Sequence, residues 1–165
     1  MVEPTINSIT LTVNGTAYRV TTEPRRTLLD CLRDDLVFPG THVGCEHGVC
    51  GCCNVIVDGA LVRSCLMLAV QADGSSIETI EGVGTEDDMS PLQEAFCATH
   101  AMQCGYCTSG MIMTLEDLLR TSPQPTDEEL TDAVSGNLCR CTGYQQILQA
   151  ARSVIAGNAA GAGSA

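Results

Sequence analysis

The chain has no tryptophan, and its aromatic residues amount to only 3% of 165. That excludes a large aromatic core. The interior has to be aliphatic and built from small side chains, and 44% apolar residues supply enough of them. Such a core gains from a cross-link, and a metal centre is one way to provide it. Positive charge is also scarce. Eight arginines and no lysine stand against twenty acidic residues, a formal net charge of −12. Phosphate backbones would be repelled, so nucleic-acid binding is excluded. The plain meaning of the acidity is solubility. No apolar run reaches the length of a membrane span, which excludes membrane insertion. The stretch MVEPTINSIT has no basic region leading into an apolar one, so no secretory signal is read and a cytoplasmic location is expected.

Cysteine is what the chain has in excess: eleven of them, an odd number. Without a secretory signal, this argues against a disulfide framework and for metal. Four fall in 44-GCEHGVCGCC-53, among three glycines.

Periodicity divides the chain in two. Residues 8–20, SITLTVNGTAYRV, alternate around Asn14-Gly15, a hairpin signal. Residues 27–36, TLLDCLRDDL, change to helical spacing, with Leu28, Leu29, Leu32 and Leu36 on one side, Thr27 as N-cap and Asp30 at the capping-box position. After the cysteine loop, Asp58-Gly59 separates two apolar runs in 53–68, a second hairpin, and 76-SIETIEG-82 reads as one more strand. Residues 82–91 are polar and turn-rich, a linker. Beyond them the spacing is helical. Ser90 and Pro91 open 91–102, and 108–122 is amphipathic and stopped by Pro123 and Pro125. Thr126 and Glu129 cap 127–134, 143–157 forms a last helix, and 157–165 is expected to be a disordered tail. The expected fold class is α+β.

The first half holds Cys45, Cys50, Cys53 and Cys65, that is C-x4-C-x2-C and a later fourth cysteine. This is the plant-type ferredoxin spacing for a 2Fe-2S cluster. Structural zinc takes its ligands as two C-x2-C knuckles, and this half has one. Gly44, Gly48 and Gly51 let the loop wrap a cluster and aim N–H groups at sulfur. Cys45-Glu46-His47 begins like a Rieske site, but no second Cys/His pair follows, so His47 is a loop residue or local hydrogen-bond donor. The second half holds Cys104 and Cys107 at the start of a predicted helix, where the dipole favours thiolates, and Cys139 and Cys141 just before the last one, with Thr142 as a possible cap. Taken alone, this half also admits a four-cysteine zinc site.

Together, GCEHGVCGCC…CL, QCGYCTSGM and GNLCRCTGYQQI resemble the small iron-sulfur subunit of the molybdenum hydroxylases, the xanthine oxidase-like enzymes. The resemblance runs from about Ile6 to Ile155. It implies an N-terminal β-grasp ferredoxin domain over 1–82, a four-helix 2Fe-2S domain over 83–157 and a tail over 158–165. It implies that Cys45, Cys50, Cys53 and Cys65 hold one 2Fe-2S cluster, and Cys104, Cys107, Cys139 and Cys141 the other. Gln103 and Cys141 would contact the molybdenum-pterin cofactor of a large subunit, and the first cluster would face FAD on a medium subunit. The implied assembly is a heterotrimer, with its dimerisation open. The chain would relay electrons and perform no substrate chemistry. The other readings are a free-standing ferredoxin and a zinc-binding structural protein.

The sequence departs from the family at Cys52, where a small residue such as Ala is usual; cysteine is small and apolar enough to replace it. Cys31 and Cys97 are expected in the core, and Met111 and Met113 as helix packing. His42 and His100 are expected to be structural or exposed. Arg140, between two candidate ligands, is either a charge beside a cluster or a surface or partner-contact residue.

Overall fold

A computed structural model describes residues 6–162. The first half is a five-stranded mixed sheet in the order β2-β1-β5-β3-β4. β1 (Asn7–Val13) and β2 (Thr16–Thr22) pair antiparallel from Asn7↔Thr22 to Val13↔Thr16. Their turn has φ 49° at Asn14 and 80° at Gly15, the two positive values a tight twisted hairpin requires. β3 (Asn54–Val57) and β4 (Ala60–Arg63) repeat the device, with φ 48° at Asp58 and 84° at Gly59. β5 (Ser76–Glu78) lies between the hairpins, parallel to β1 and antiparallel to β3. This is the β-grasp arrangement.

Period-two alternation sends Ile9, Leu11 and Val13 to one face of β1. They meet Val55, Val57, Ile77 and the helix that crosses the sheet. That helix starts as α1 (Leu28–Asp30), capped by Thr27, whose hydroxyl accepts from the N–H of Asp30 at 3.1 Å. It then widens into a π-helical turn over Cys31–Asp35, closed by Leu36 N–H on the Cys31 carbonyl. The widening departs from the uniform helical spacing read in the sequence. Leu28 and Leu32 enter the sheet core with Cys31, while Leu29 packs on Cys53 and Cys65. The four leucines therefore do not share one face.

The second half is helical: α2 (Pro91–Ala98), α3 (Thr108–Thr121), α4 (Asp127–Ser135) and α5 (Gln145–Ala162). Ser90/Gln93 and Thr126/Glu129 form reciprocal capping boxes on α2 and α4. Phe96, Met111, Ile112, Leu115, Leu130 and Ile147 share the core. Met113 is fully buried as well. Two expectations fail here. Cys97 is exposed, because α2 buries Leu92, Ala95 and Phe96 and one further residue turns about 100° off that stripe. The last helix continues through residues 158–162, which were expected in the tail, because its alanines are strong helix formers. Residues 163–165 of that tail lie outside the described residues.

All four residues of β3 are buried. Val55 and Val57 face the sheet core, and α3 packs on β3 and brings Gly110 against the cysteine loop. A side chain at Gly110 would lie 2.8 Å from the Cα of Cys52, so the helix reaches the loop only because this residue has none. Arg120 of α3 adds a two-pronged ion pair to Glu78 of β5, at 2.9 and 2.7 Å.

Candidate metal centres

The loop between α1 and β3 is shaped around sulfur. N–H groups of Val49 and Cys50 point at Cys45 Sγ, at 3.3 and 3.4 Å. The N–H of Cys50, followed by that of His47, pulls the Cys45 thiol down to about 6. A Cβ on Gly44 would fall 2.8 Å from Cys52 Sγ and 2.9 Å from Cys50 Sγ, so glycine makes the room those sulfurs occupy. Gly51 has φ 74°, and a side chain there would strike Asn137. Cys53 and Cys65 are buried together under Leu29 and Val43. Burial, then the neighbouring Cys53, pushes the Cys65 thiol up to about 11. His47 is exposed and its Nδ1 meets the carbonyl of Cys45, a local contact.

The second group sits where two helices begin. Cys107 occupies the N-cap of α3, at the positive end of the dipole. Cys104 Sγ lies 3.5 Å from Cys141 Sγ. The N–H of Tyr106, then the Cys141 thiol, lowers Cys104, and Cys104 raises Cys141 in return. Burial, then Cys139, pushes Cys107 up to about 12. Burial acts the same way at Cys139 but is outweighed by several hydrogen bonds together, from the Thr142 hydroxyl at 3.0 Å, the N–H groups of Thr142 and Cys141 and the Cys107 thiol, so that thiol is lowered. Thr142 thus serves sulfur and accepts from Tyr144 N–H, rather than capping α5. In each pair of this group one thiol is lowered and its partner raised.

Among the described residues, no three of His, Cys, Asp and Glu close on a single metal ion. The thiols instead interact mostly in twos, Cys45 with Cys50, Cys53 with Cys65, Cys104 with Cys141, and Cys107 with Cys139, while Cys50 also meets Cys52. Two thiols for each of two irons is the donor set of a 2Fe-2S cluster, so both groups fit that cofactor. Cys52 is the additional sulfur, buried and 3.3 Å from Cys50 Sγ.

A cavity of about 170 Å³ is lined by all four thiols of the second group, Cys104, Cys107, Cys139 and Cys141, together with Cys50 and Cys52 from the first loop. Arg140 borders the same cavity and is also exposed. His42 stacks on Tyr106, centroids 4.7 Å apart, and bonds its carbonyl at 2.8 Å. Gln103 and Cys141 are exposed. Sequence reasoning missed Tyr106 and the buried polar residues Asn54, Thr114 and Asn137. An asparagine beside a continuous apolar strand was the one available signal.

Residues 11–79 match the family described as 2Fe-2S iron-sulfur cluster binding domain, and residues 79–152 match the family described as 2Fe-2S binding domain. The chain is thus a carrier of two 2Fe-2S clusters. It is 54% identical over 142 residues to the nicotine 6-hydroxylase small subunit of Paenarthrobacter nicotinovorans, covering 86% of each chain. It is 51% identical over 149 residues to the caffeine dehydrogenase subunit gamma of Pseudomonas sp. (strain CBB1), covering 88% of this chain and 89% of that one. A chain of quinoline 2-oxidoreductase from Pseudomonas putida 86 superposes with a TM-score of 0.88 at 45% identity, over 94% of this chain and 98% of that one. The chain belongs to the small iron-sulfur subunits of the molybdenum hydroxylases, and its role is electron transfer within a multi-subunit oxidoreductase. No helix among the described residues is long and apolar enough to cross a membrane.

Proposed function

We propose that this chain relays electrons from a molybdenum-pterin centre on a large subunit, through its two clusters, to FAD on a medium subunit. The observation that carries the reading is the gathering of eight thiols into two groups of four, with Cys50 of the first group sharing a small cavity with all four thiols of the second. Cys45, Cys50, Cys53 and Cys65 hold the first cluster. Cys104, Cys107, Cys139 and Cys141 hold the second. When bound, the clusters supply one-electron redox chemistry. The protein's own residues supply thiolates, N–H donors to sulfur and burial, which set potential.

Gln103 and Cys141 are the contacts to the pterin; their exposure beside the second group supports this. The first cluster serves the flavin side. The division into a ferredoxin domain over 1–82 and a helical domain over 83–157 is supported by the separate cores of the two halves. The assembly is a cytoplasmic heterotrimer, and substrate choice rests with the large subunit. A free-standing ferredoxin needs only the first half, and no observation favours zinc. Size-exclusion of the native material tests the reading. Co-elution with molybdenum and flavin is expected, while this chain eluting alone would overturn the subunit role.

A further inference from the structure

A buried polar network lies between the two halves, and the iron ligands do not require it. Asn54, Thr114 and Asn137 are all buried, none more than 5% exposed. Asn54 Nδ2 donates to Thr114 Oγ1 at 2.8 Å and to Asn137 Oδ1 at 3.0 Å. Asn137 Nδ2 donates to the same hydroxyl at 2.8 Å. That hydroxyl in turn donates to the Gly110 carbonyl at 2.8 Å. One donation and two acceptances exhaust what a threonine hydroxyl can do, so its position is fully determined. Arg63 closes the network from the rim. Its guanidinium donates to Asn54 Oδ1, to the Gly136 carbonyl at 2.5 Å and to the Gly48 carbonyl at 3.2 Å.

The sequence positions give the network its meaning. Gly48 lies in the loop between Cys45 and Cys50, Asn54 follows Cys53, and Arg63 stands two residues before Cys65. Gly136 and Asn137 lead into Cys139. One planar fork thus holds segments from both thiol groups at fixed directions, which a point charge such as lysine cannot do. Its result is visible in the backbone, where the N–H of Leu138, next to Cys139, donates to the carbonyl of Cys50 at 2.8 Å. Apolar packing alone could hold the halves together. Directional bonds additionally fix how they sit, and a fully satisfied buried network is rigid for that reason.

We propose that Arg63 is a positioning residue: through Asn54, Thr114 and Asn137 it sets the separation of the two iron-sulfur centres, and so the rate of electron exchange between them. The proposal rests on the two-cluster reading above. Electron tunnelling falls steeply with distance, so a small displacement at this junction changes the rate more than it changes stability.

The test uses the native complex with Arg63→Met, Arg63→Lys, Thr114→Val and Thr114→Ser. The readouts are the magnetic splitting between the two reduced clusters in EPR, the intercluster rate after flash reduction, and each cluster's potential. Arg63→Met removes charge as well as the fork, so its potentials alone would not discriminate. Arg63→Lys keeps the charge and loses the fork. It is expected to hold the wild-type potentials while the splitting changes and the rate drops several-fold. Thr114→Val, which alters no charge, should do the same, and Thr114→Ser should restore both. Wild-type splitting and rate in Arg63→Lys and Thr114→Val would overturn the proposal. If Arg63→Met fails to assemble, the Thr114 pair decides. A wild-type complex without two EPR signals would overturn the two-cluster reading and this proposal together.

Discussion

The sulfur of Cys52 lies 3.3 Å from the sulfur of Cys50, yet the two residues meet different surroundings. Cys50 belongs to the loop that closes on Cys45, whereas Cys52 donates to the carbonyl of His42 at 3.3 Å and is buried against the helical half. Burial, then the Cys50 thiol, pushes Cys52 up to about 12. Cys107 is raised as far, so the value does not separate a ligand from a packing residue; the bond to the His42 carbonyl and the close approach of α3 at Gly110 are what support a packing role for Cys52.

It follows that Cys52→Ala keeps both clusters and Cys53→Ala loses or damages the first. Iron content and the visible spectrum of the purified variants check this. A Cys52→Ala protein lacking the first cluster would show that the ligand set is shifted by one residue.

Gly110 and Gly157 give a paired test of the docking between the halves. A Cβ at Gly110 would meet Cys52 Cα at 2.8 Å and the backbone of Gly51, neither of which can rotate away. Gly110→Ala is expected to destabilise the chain by about 1–3 kcal/mol through overpacking. Gly157 lies on α5 with nothing within 4 Å of an added Cβ. Gly157→Ala should stabilise by roughly 0.5–1 kcal/mol, because alanine loses less backbone entropy in a helix. Thermal unfolding of the two variants should move in opposite directions.

How far such features could be read from sequence depends on the range of the interaction. Asn14-Gly15 and Asp58-Gly59 announced both hairpins, and Ser90 and Thr126 announced two helix starts, because turns and caps are decided within four residues. The C-x4-C-x2-C run of the first thiol group is a local spacing, whereas the second group, two close pairs with 31 residues between them, is legible as a single 2Fe-2S site only through the family resemblance. The π-helical turn after Asp30 was not, since its wider closure is imposed by packing on the sheet rather than by any residue in the turn. Cys97 was misplaced because a short helix leaves the buried arc uncertain by one position. Asn54, Arg63 and Asn137 gave no periodic signal: Asn54 and Arg63 face each other across the β3–β4 hairpin, but their partner Asn137 comes from the other half, more than seventy positions away.

Removal of the clusters should weaken the fold beyond the loss of redox activity. The sheet core and the helical core contain no tryptophan, and Leu29 and Val43 pack directly on Cys53 and Cys65. A bound cofactor contributes its binding energy to folding. If the loss is about 3 kcal/mol, the size typical of a removed disulfide, the unfolding midpoint falls by roughly 6–12 °C for a chain of this length. Calorimetry before and after chelation measures it. An unchanged midpoint would mean that the cores are self-sufficient.

In the cluster-free chain the thiols should also separate by reactivity. Alkylation by iodoacetamide requires the thiolate. Cys45 is lowered to about 6 by N–H donation, chiefly from Cys50, so most of it is thiolate at pH 7. Cys52 and Cys107 are raised to about 12 by burial and then by a neighbouring thiol, so both are protonated there. The sign of the linkage is that of a depressed group. The N–H bonds to Cys45 contribute fully above the ordinary thiol value near 9, and their contribution is lost as pH falls through about 6. Cys45 is therefore expected to be modified first at pH 7 and to slow markedly at pH 5, with Cys52 and Cys107 unmodified at both. Peptide mass spectrometry over a time course resolves the sites, and modification of Cys52 as fast as Cys45 at pH 7 would contradict the loop's role in holding a thiolate at Cys45.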